Sequence, residues 1–319
     1  MKLLVAVLIS GIVLTSCSKG DEIFHPVFEK LKDTPLSERQ GAVAATIDGY
    51  GFVGLGVNTN GDYLNDFWKY NENKKTWTRI ADYPGEGYNA STAFTVGKKL
   101  YVGLGFSVNH ENCSDLWMYD PSTNKWERKA DFPGMARYSA KSFVVGGCAY
   151  VGTGTHNSSD DYLSDFWKYD PKLDKWMQVE SMPGIRCGAV AFSCNGKGYV
   201  GLGISQGGYP YRQTKDFYEY DPIKDEWRQI QDFPTYRYAA VAFTLKGKAY
   251  VGFGCNNEEY FSDLWTLDAV AKKWVKVEIG AVPNRRDAIA FEFDKRVLIG
   301  TGRQASDIVL PDFWDLGLK

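Results

Sequence analysis

Between Arg137 and Pro183 four short apolar stretches alternate with turn residues, and the same order of landmarks recurs along the chain. The stretches are Ser139 to Val145, Ala149 to Gly152, Phe166 to Tyr169 and Trp176 to Val179; Gly146-Gly147, a polar loop and Pro171 to Lys175 separate them. Short β-rich runs broken by Gly, Pro, Asn and Asp predict an antiparallel meander of four strands, here a to d. The tryptophans Trp77, Trp126, Trp176, Trp227 and Trp274 mark strand d at steps of 49, 50, 51 and 47 residues. Each strand b ends in Gly-x-Gly: Gly54/Gly56, Gly103/Gly105, Gly152/Gly154, Gly201/Gly203, Gly252/Gly254 and Gly300/Gly302. Each strand c opens on Asp: Asp66, Asp115, Asp165, Asp216, Asp263 and Asp312, followed by Phe or Leu and then by Trp or Tyr.

A period near 50 residues with these landmarks resembles the kelch repeat, although many kelch repeats carry an adjacent Gly-Gly where this chain has Gly-x-Gly. The resemblance implies an all-β fold, a six-bladed β-propeller with four-stranded antiparallel blades. The sixth repeat stops at Lys319 after strand c, and Phe28 stands seven residues before Pro35, the spacing that separates Trp77 from Pro84. Val27 to Leu31 is therefore read as the missing outer strand, so that the N-terminus joins the C-terminal blade and closes the ring.

Residues 1–16 read as a leader: Lys2 supplies charge, and Leu3 to Leu14 is an apolar run too short to span a bilayer comfortably. It ends Leu14-Thr15-Ser16-Cys17, which resembles a bacterial lipobox and implies lipidation at Cys17. Residues 17–26 are then a tether and 27–319 the propeller. This places the chain in the bacterial cell envelope, at the outer membrane, facing periplasm or surface, with membrane contact only through the lipid. The roughly 300 residues that remain suit one domain, expected as a monomer. A net charge of −2 argues against nucleic acid as partner. All ten tryptophans fall in strand c or d slots and are read as blade packing. Besides Cys17 there are five cysteines without metal-type spacing, read as small buried hydrophobes.

The long b–c loops share one face with the d–a links, and that face is the expected recognition surface. A column at the entry to strand a reads Arg39, Tyr88, Arg137, Arg186, Arg237 and Arg285. Two readings stand: each Arg bonds loop carbonyls or a strand-c Asp, or the ring holds an anionic or sugar-acid ligand. The divergent loops add Tyr209, Tyr211 and Arg212 in repeat four and Glu258, Glu259 and Tyr260 in repeat five, with His110 and His156 in repeats two and three. Three residues break otherwise uncharged columns of strand a: Lys141, Asp287 and Glu292. Repeats three and six lie opposite in a six-fold ring, so these charges are expected to meet in a water-filled channel, because an unpaired buried Lys is costly.

The kelch-type propellers include copper radical oxidases of the galactose oxidase kind, but the propeller's two histidines do not reproduce their ligand set. Zinc and calcium patterns are also missing, so no cofactor or metal is expected. The periplasmic sialic acid mutarotase is another kelch propeller, and its chemistry needs only an acid, a base and an Arg. The expected role is a glycan- or protein-binding module, with sugar-acid mutarotase or epimerase as the alternative.

Overall fold

A computed structural model describes residues 27–31, 34–85, 88–156, 161–206, 210–280, 282–305 and 308–317. Among them the regular structure is all β. Six four-stranded antiparallel sheets are arranged as propeller blades. The third blade is typical: strands a Lys141–Val145, b Cys148–Gly152, c Phe166–Asp170 and d Lys175–Val179 pair in sequence order. In the sixth blade strands a to c are Ile289–Glu292, Arg296–Gly300 and Phe313–Gly317, and Val27–Lys30 pairs antiparallel with the last of these. The repeat in the sequence is thus one blade per period, and the four apolar runs are its four strands.

A blade cannot bury both faces alone, so the core lies between blades. Six apolar clusters occur, one at each junction; that between the last and first blades joins Ile289, Phe291 and Phe313 to Val53 and Tyr70. Aromatic columns build them. Phe143 stacks on Tyr150 at 5.1 Å, and Tyr220 and Trp227 of the next blade close on the pair at 5.9 and 6.3 Å. The strand-d tryptophans also donate across the junction: Trp176 Nε1 to Ala130 O at 2.9 Å and Trp227 Nε1 to Glu180 O at 2.9 Å.

The Gly-x-Gly turns fasten blade to blade. In each, the second glycine N–H donates to the carbonyl at the Arg-column position of the next blade, at 2.8–3.3 Å, and Gly302 N to Arg39 O joins the last blade to the first. That geometry holds Gly154 at φ 92°, where an added Cβ would sit 2.6 Å from Tyr138 O. Glycine is required there on both counts.

Candidate functional site

The Arg column lies below the mouth rather than in it. Arg39, Arg137, Arg186, Arg237 and Arg285 are each buried to 1% exposure or less. Each guanidinium forks onto the Asp that opens strand c of its own blade: Arg137 reaches Asp165 at 2.6 and 2.8 Å, and Arg237 reaches Asp263 at 2.7 and 3.0 Å. Nη1 also donates to the carbonyl in the middle of the Gly-x-Gly, as Arg137 does to Thr153 O at 3.1 Å. Burial alone raises these carboxyls, but the Arg hydrogen bonds and charge outweigh it and hold Asp66, Asp165, Asp263 and Asp312 below the usual range. Of the two readings of these five arginines, the geometry is that of the first, bonding to loop carbonyls and a strand-c Asp, and the ligand ring is corrected; Arg186 Nε is buried without a hydrogen-bond partner. Tyr88, at the same column position, is half-buried and does not line the cavity at the b–c face. It packs edge-on against Tyr83 at 5.6 Å at the junction of the first two blades. With Tyr in place of the column Arg, burial raises the Asp115 carboxyl, and the Trp117 hydrogen bond and the Arg128 charge only partly oppose it.

The open site at the b–c face is a cavity of about 610 Å³ over blades one, two, three and six. Members of two columns beside the arginines line it: Gln40, Asn89, Tyr138 and Arg286 of one, Phe106 and Arg303 of the other. The residue after each Arg-column position bridges the residue after each Gly-x-Gly: Gln40 with Val57, Asn89 with Phe106, Tyr138 with Thr155, Cys187 with Ile204, Tyr238 with Cys255 and Arg286 with Arg303. Five pairs are uncharged and the sixth sets two arginines opposite each other, with both backbone bonds at 3.0 Å.

Arg286 is braced by Tyr238 OH at 3.1 Å and by Asp287 Oδ2 at 3.5 Å, with the Tyr260 ring 5.9 Å from its guanidinium carbon. Arg303 donates to Gln40 Oε1 at 3.3 Å. The second and third blades supply Phe106, His110, Asn112, Tyr138 and His156. His156 Nδ1 lies 2.7 Å from Ala136 O, which can only accept, so Nδ1 carries the proton and a neutral ring keeps its lone pair on Nε2. Asn112 donates to His156 O, while its buried Oδ1 has no protein partner.

Of the column-breaking charges, Asp287 lines this mouth and Lys141 lines the axial channel below it, walled by the small residues of all six a strands. Burial lowers the Lys141 ammonium and raises the Asp287 carboxyl, and the two oppose these shifts in each other. Glu292 does not join them. It lines the far end of the channel, where its side chain is exposed to the lumen but ringed by protein on all sides, and that reduced solvation pushes its carboxyl up to about 7. Tyr260 reaches the site through Arg286, whereas Glu258 and Arg212 are exposed on loops that do not line the cavity. Tyr209 lies outside the described residues. Arg286 and Arg303 are missing from the sequence reading, though each is the single charge in its repeat column, the test that singled out Lys141. Among the described residues no His, Cys, Asp or Glu group can hold a metal, and the five cysteines form no disulfide.

A family model described as the KLHDC2/KLHL20/DRC7 Kelch-repeats domain matches residues 82–232, which include blades two, three and four. No curated protein matches the chain at a significant level. Among solved structures, that of YjhT superposes with a TM-score of 0.74 at 18% identity, covering 89% of this chain and 96% of that one. The kelch-repeat match takes in three of the six blades of this β-propeller, and the same sequence landmarks recur in the other three.

Proposed function

We propose that this chain is a cell-envelope propeller, lipid-anchored through Cys17, whose b–c mouth binds a small anionic carbohydrate. The observation that carries the reading is the bridged pair Arg286 and Arg303. Like charges directly opposite on a ladder are destabilising, and five of the six equivalent bridges avoid any charge. Asp287 pairs with Arg286, and the two guanidiniums of this one bridge bring together N–H donors of the kind a carboxylate accepts from. Phe106, Tyr138 and Asn112 across the cavity offer the apolar wall and hydrogen bonds suited to a sugar ring.

The test is a thermal-shift and calorimetric series on the chain from Ser18, with sialic acid, uronic acids and neutral sugars. A sugar acid is expected to raise the melting temperature, a neutral sugar is not, and Arg286→Ala is expected to weaken binding roughly tenfold or more. Equal response to neutral sugars, or full affinity in Arg286→Ala, overturns the reading.

One observation favours a second reading, sugar-acid mutarotation. The same cavity holds a carboxyl raised by burial, Asp287, and an imidazole whose Nε2 is an acceptor, His156. Ring opening at an anomeric centre needs such an acid and base. NMR exchange between anomers should then be accelerated by the protein and abolished by His156→Gln with binding retained. Unaltered exchange rates leave binding alone.

A further inference from the structure

The face opposite the mouth carries a second surface. Strand c runs away from the b–c loops, so its last residues and the first of strand d lie on the face of the c–d turns. Val27 pairs with Gly317 at the end of strand c, and the chain before Val27 therefore leaves the propeller on that face, at the sixth blade. On the same face the c–d turns of blades three, four and five present Leu173, Ile223 and Val270, exposed to 65%, 91% and 95%. Single exposed aliphatic residues need no explanation. These three occupy the same turn of consecutive blades, in an arc that ends beside the blade where the N-terminal segment emerges. The equivalent turns of the first two blades carry Asn73 and Ser122 instead.

The tips are held rigidly. Asp170 Oδ1 accepts from Lys172 N at 2.9 Å, Asp221 Oδ1 from Ile223 N at 3.0 Å and Asp268 Oδ1 from Val270 N at 2.9 Å. Asp170, Asp221 and Asp268 are thus engaged with backbone, while Lys172 and Lys224 in the same turns, and Lys246 in the adjoining a–b turn, stand exposed, with Asp225 and Glu226 exposed beside Lys224. Rigid aliphatic tips flanked by lysines are the composition that seats in the headgroup region of an anionic bilayer.

We infer that the arc of Leu173, Ile223 and Val270 with its flanking lysines docks the propeller on an anionic phospholipid surface, turning the b–c mouth away from the membrane. The chain preceding Val27 has a reach of about 3.5 Å per extended residue, and it leaves from the side that docks. The inference does not require lipidation of Cys17, since an unlipidated chain tests it alone.

The experiment is flotation of the chain from Ser18, which keeps every strand of the ring, with phosphatidylcholine vesicles containing or lacking one-quarter phosphatidylglycerol. Binding is expected to the anionic vesicles and to be weaker on the neutral ones. Leu173→Ser/Ile223→Ser/Val270→Ser should lose roughly tenfold or more in partition, since binding scales with the apolar area inserted, at an unchanged melting temperature. Lys172→Glu/Lys224→Glu/Lys246→Glu should lose the preference for phosphatidylglycerol. No flotation of the parent chain, or undiminished flotation of the aliphatic variant, overturns the proposal.

Discussion

A buried arginine is informative only together with its partner. Arg137 has no exposure, and its fork onto Asp165 and its bond to Thr153 O tie the entry of strand a to the end of strand b and the start of strand c. Arg137→Ala leaves Asp165 without its cation, and the expected loss is about 3–5 kcal/mol in chemical denaturation. Arg137→Lys keeps the charge without the planar fork and should fall between. A loss below about 1 kcal/mol, the range of surface pairs, would return the column to the ligand site.

Acid titration gives these residues opposite signs. Asp66, Asp165, Asp263 and Asp312 have lowered folded values, so their contribution is present above the ordinary carboxylate range and is lost as pH falls through those lowered values. Glu292 is the reverse. Its folded value is about 7 against an ordinary 4.5, so the folded state holds the extra proton between the two and stability falls as pH rises through that window. Glu292→Gln is therefore expected to be more stable than the parent at pH 8 and to lose that advantage as the pH drops toward 4.5. A pH-independent difference in melting temperature would show that the Glu292 carboxyl is not perturbed by the channel.

At the scale of the element, the Gly-x-Gly turn carries the ring. Gly154 combines a left-handed backbone, contact with Tyr138 O and the bond to Arg186 O of the next blade. Gly146, in the a–b turn, is also left-handed at φ 61° but has open space around it. Gly146→Ala should cost only the left-handed penalty, about 1–2 kcal/mol. Gly154→Ala adds a clash with backbone that cannot yield, and roughly 3 kcal/mol or more is expected. Equal losses in thermal unfolding would mean that the inter-blade bond is dispensable.

The same elements show what a sequence read alone can and cannot tell. Strand order, the tryptophan columns and the six-fold count were legible because each repeats in register with the chain. The choice between the two readings of the arginines was not, because Arg39 to Asp66 and Arg186 to Asp216 lie 27 and 30 residues apart, and no fixed spacing announces the pair. Arg286 and Arg303 were hidden by the neighbouring, stronger Arg column. Their facing is a property of the bridge between two turns, and a one-dimensional pattern does not state it.

At the scale of the whole molecule, stability depends on a ring that the chain must close with its two ends, and two seams do so. The inner one runs through Gly302 N to Arg39 O at 3.0 Å, Glu292 N to Thr46 Oγ1 at 2.9 Å and Arg296 Nη2 to Glu72 O at 3.0 Å. The outer one is the ladder of Val27–Lys30 on Phe313–Gly317, extended by Leu31 N to Phe313 O at 2.8 Å. Removing the outer strand leaves the inner seam but bares the edge of Phe313–Gly317, and an unpaired edge templates association with other chains. A chain beginning at Asp33 is therefore expected to melt earlier and to scatter light in proportion to its concentration, whereas a chain beginning at Pro26 behaves as the parent. The comparison isolates the strand, because both chains lack the leader and the tether. If the chain from Asp33 stays monomeric and melts with the parent, the inner seam alone closes the propeller and the N-terminal strand is an accessory to it.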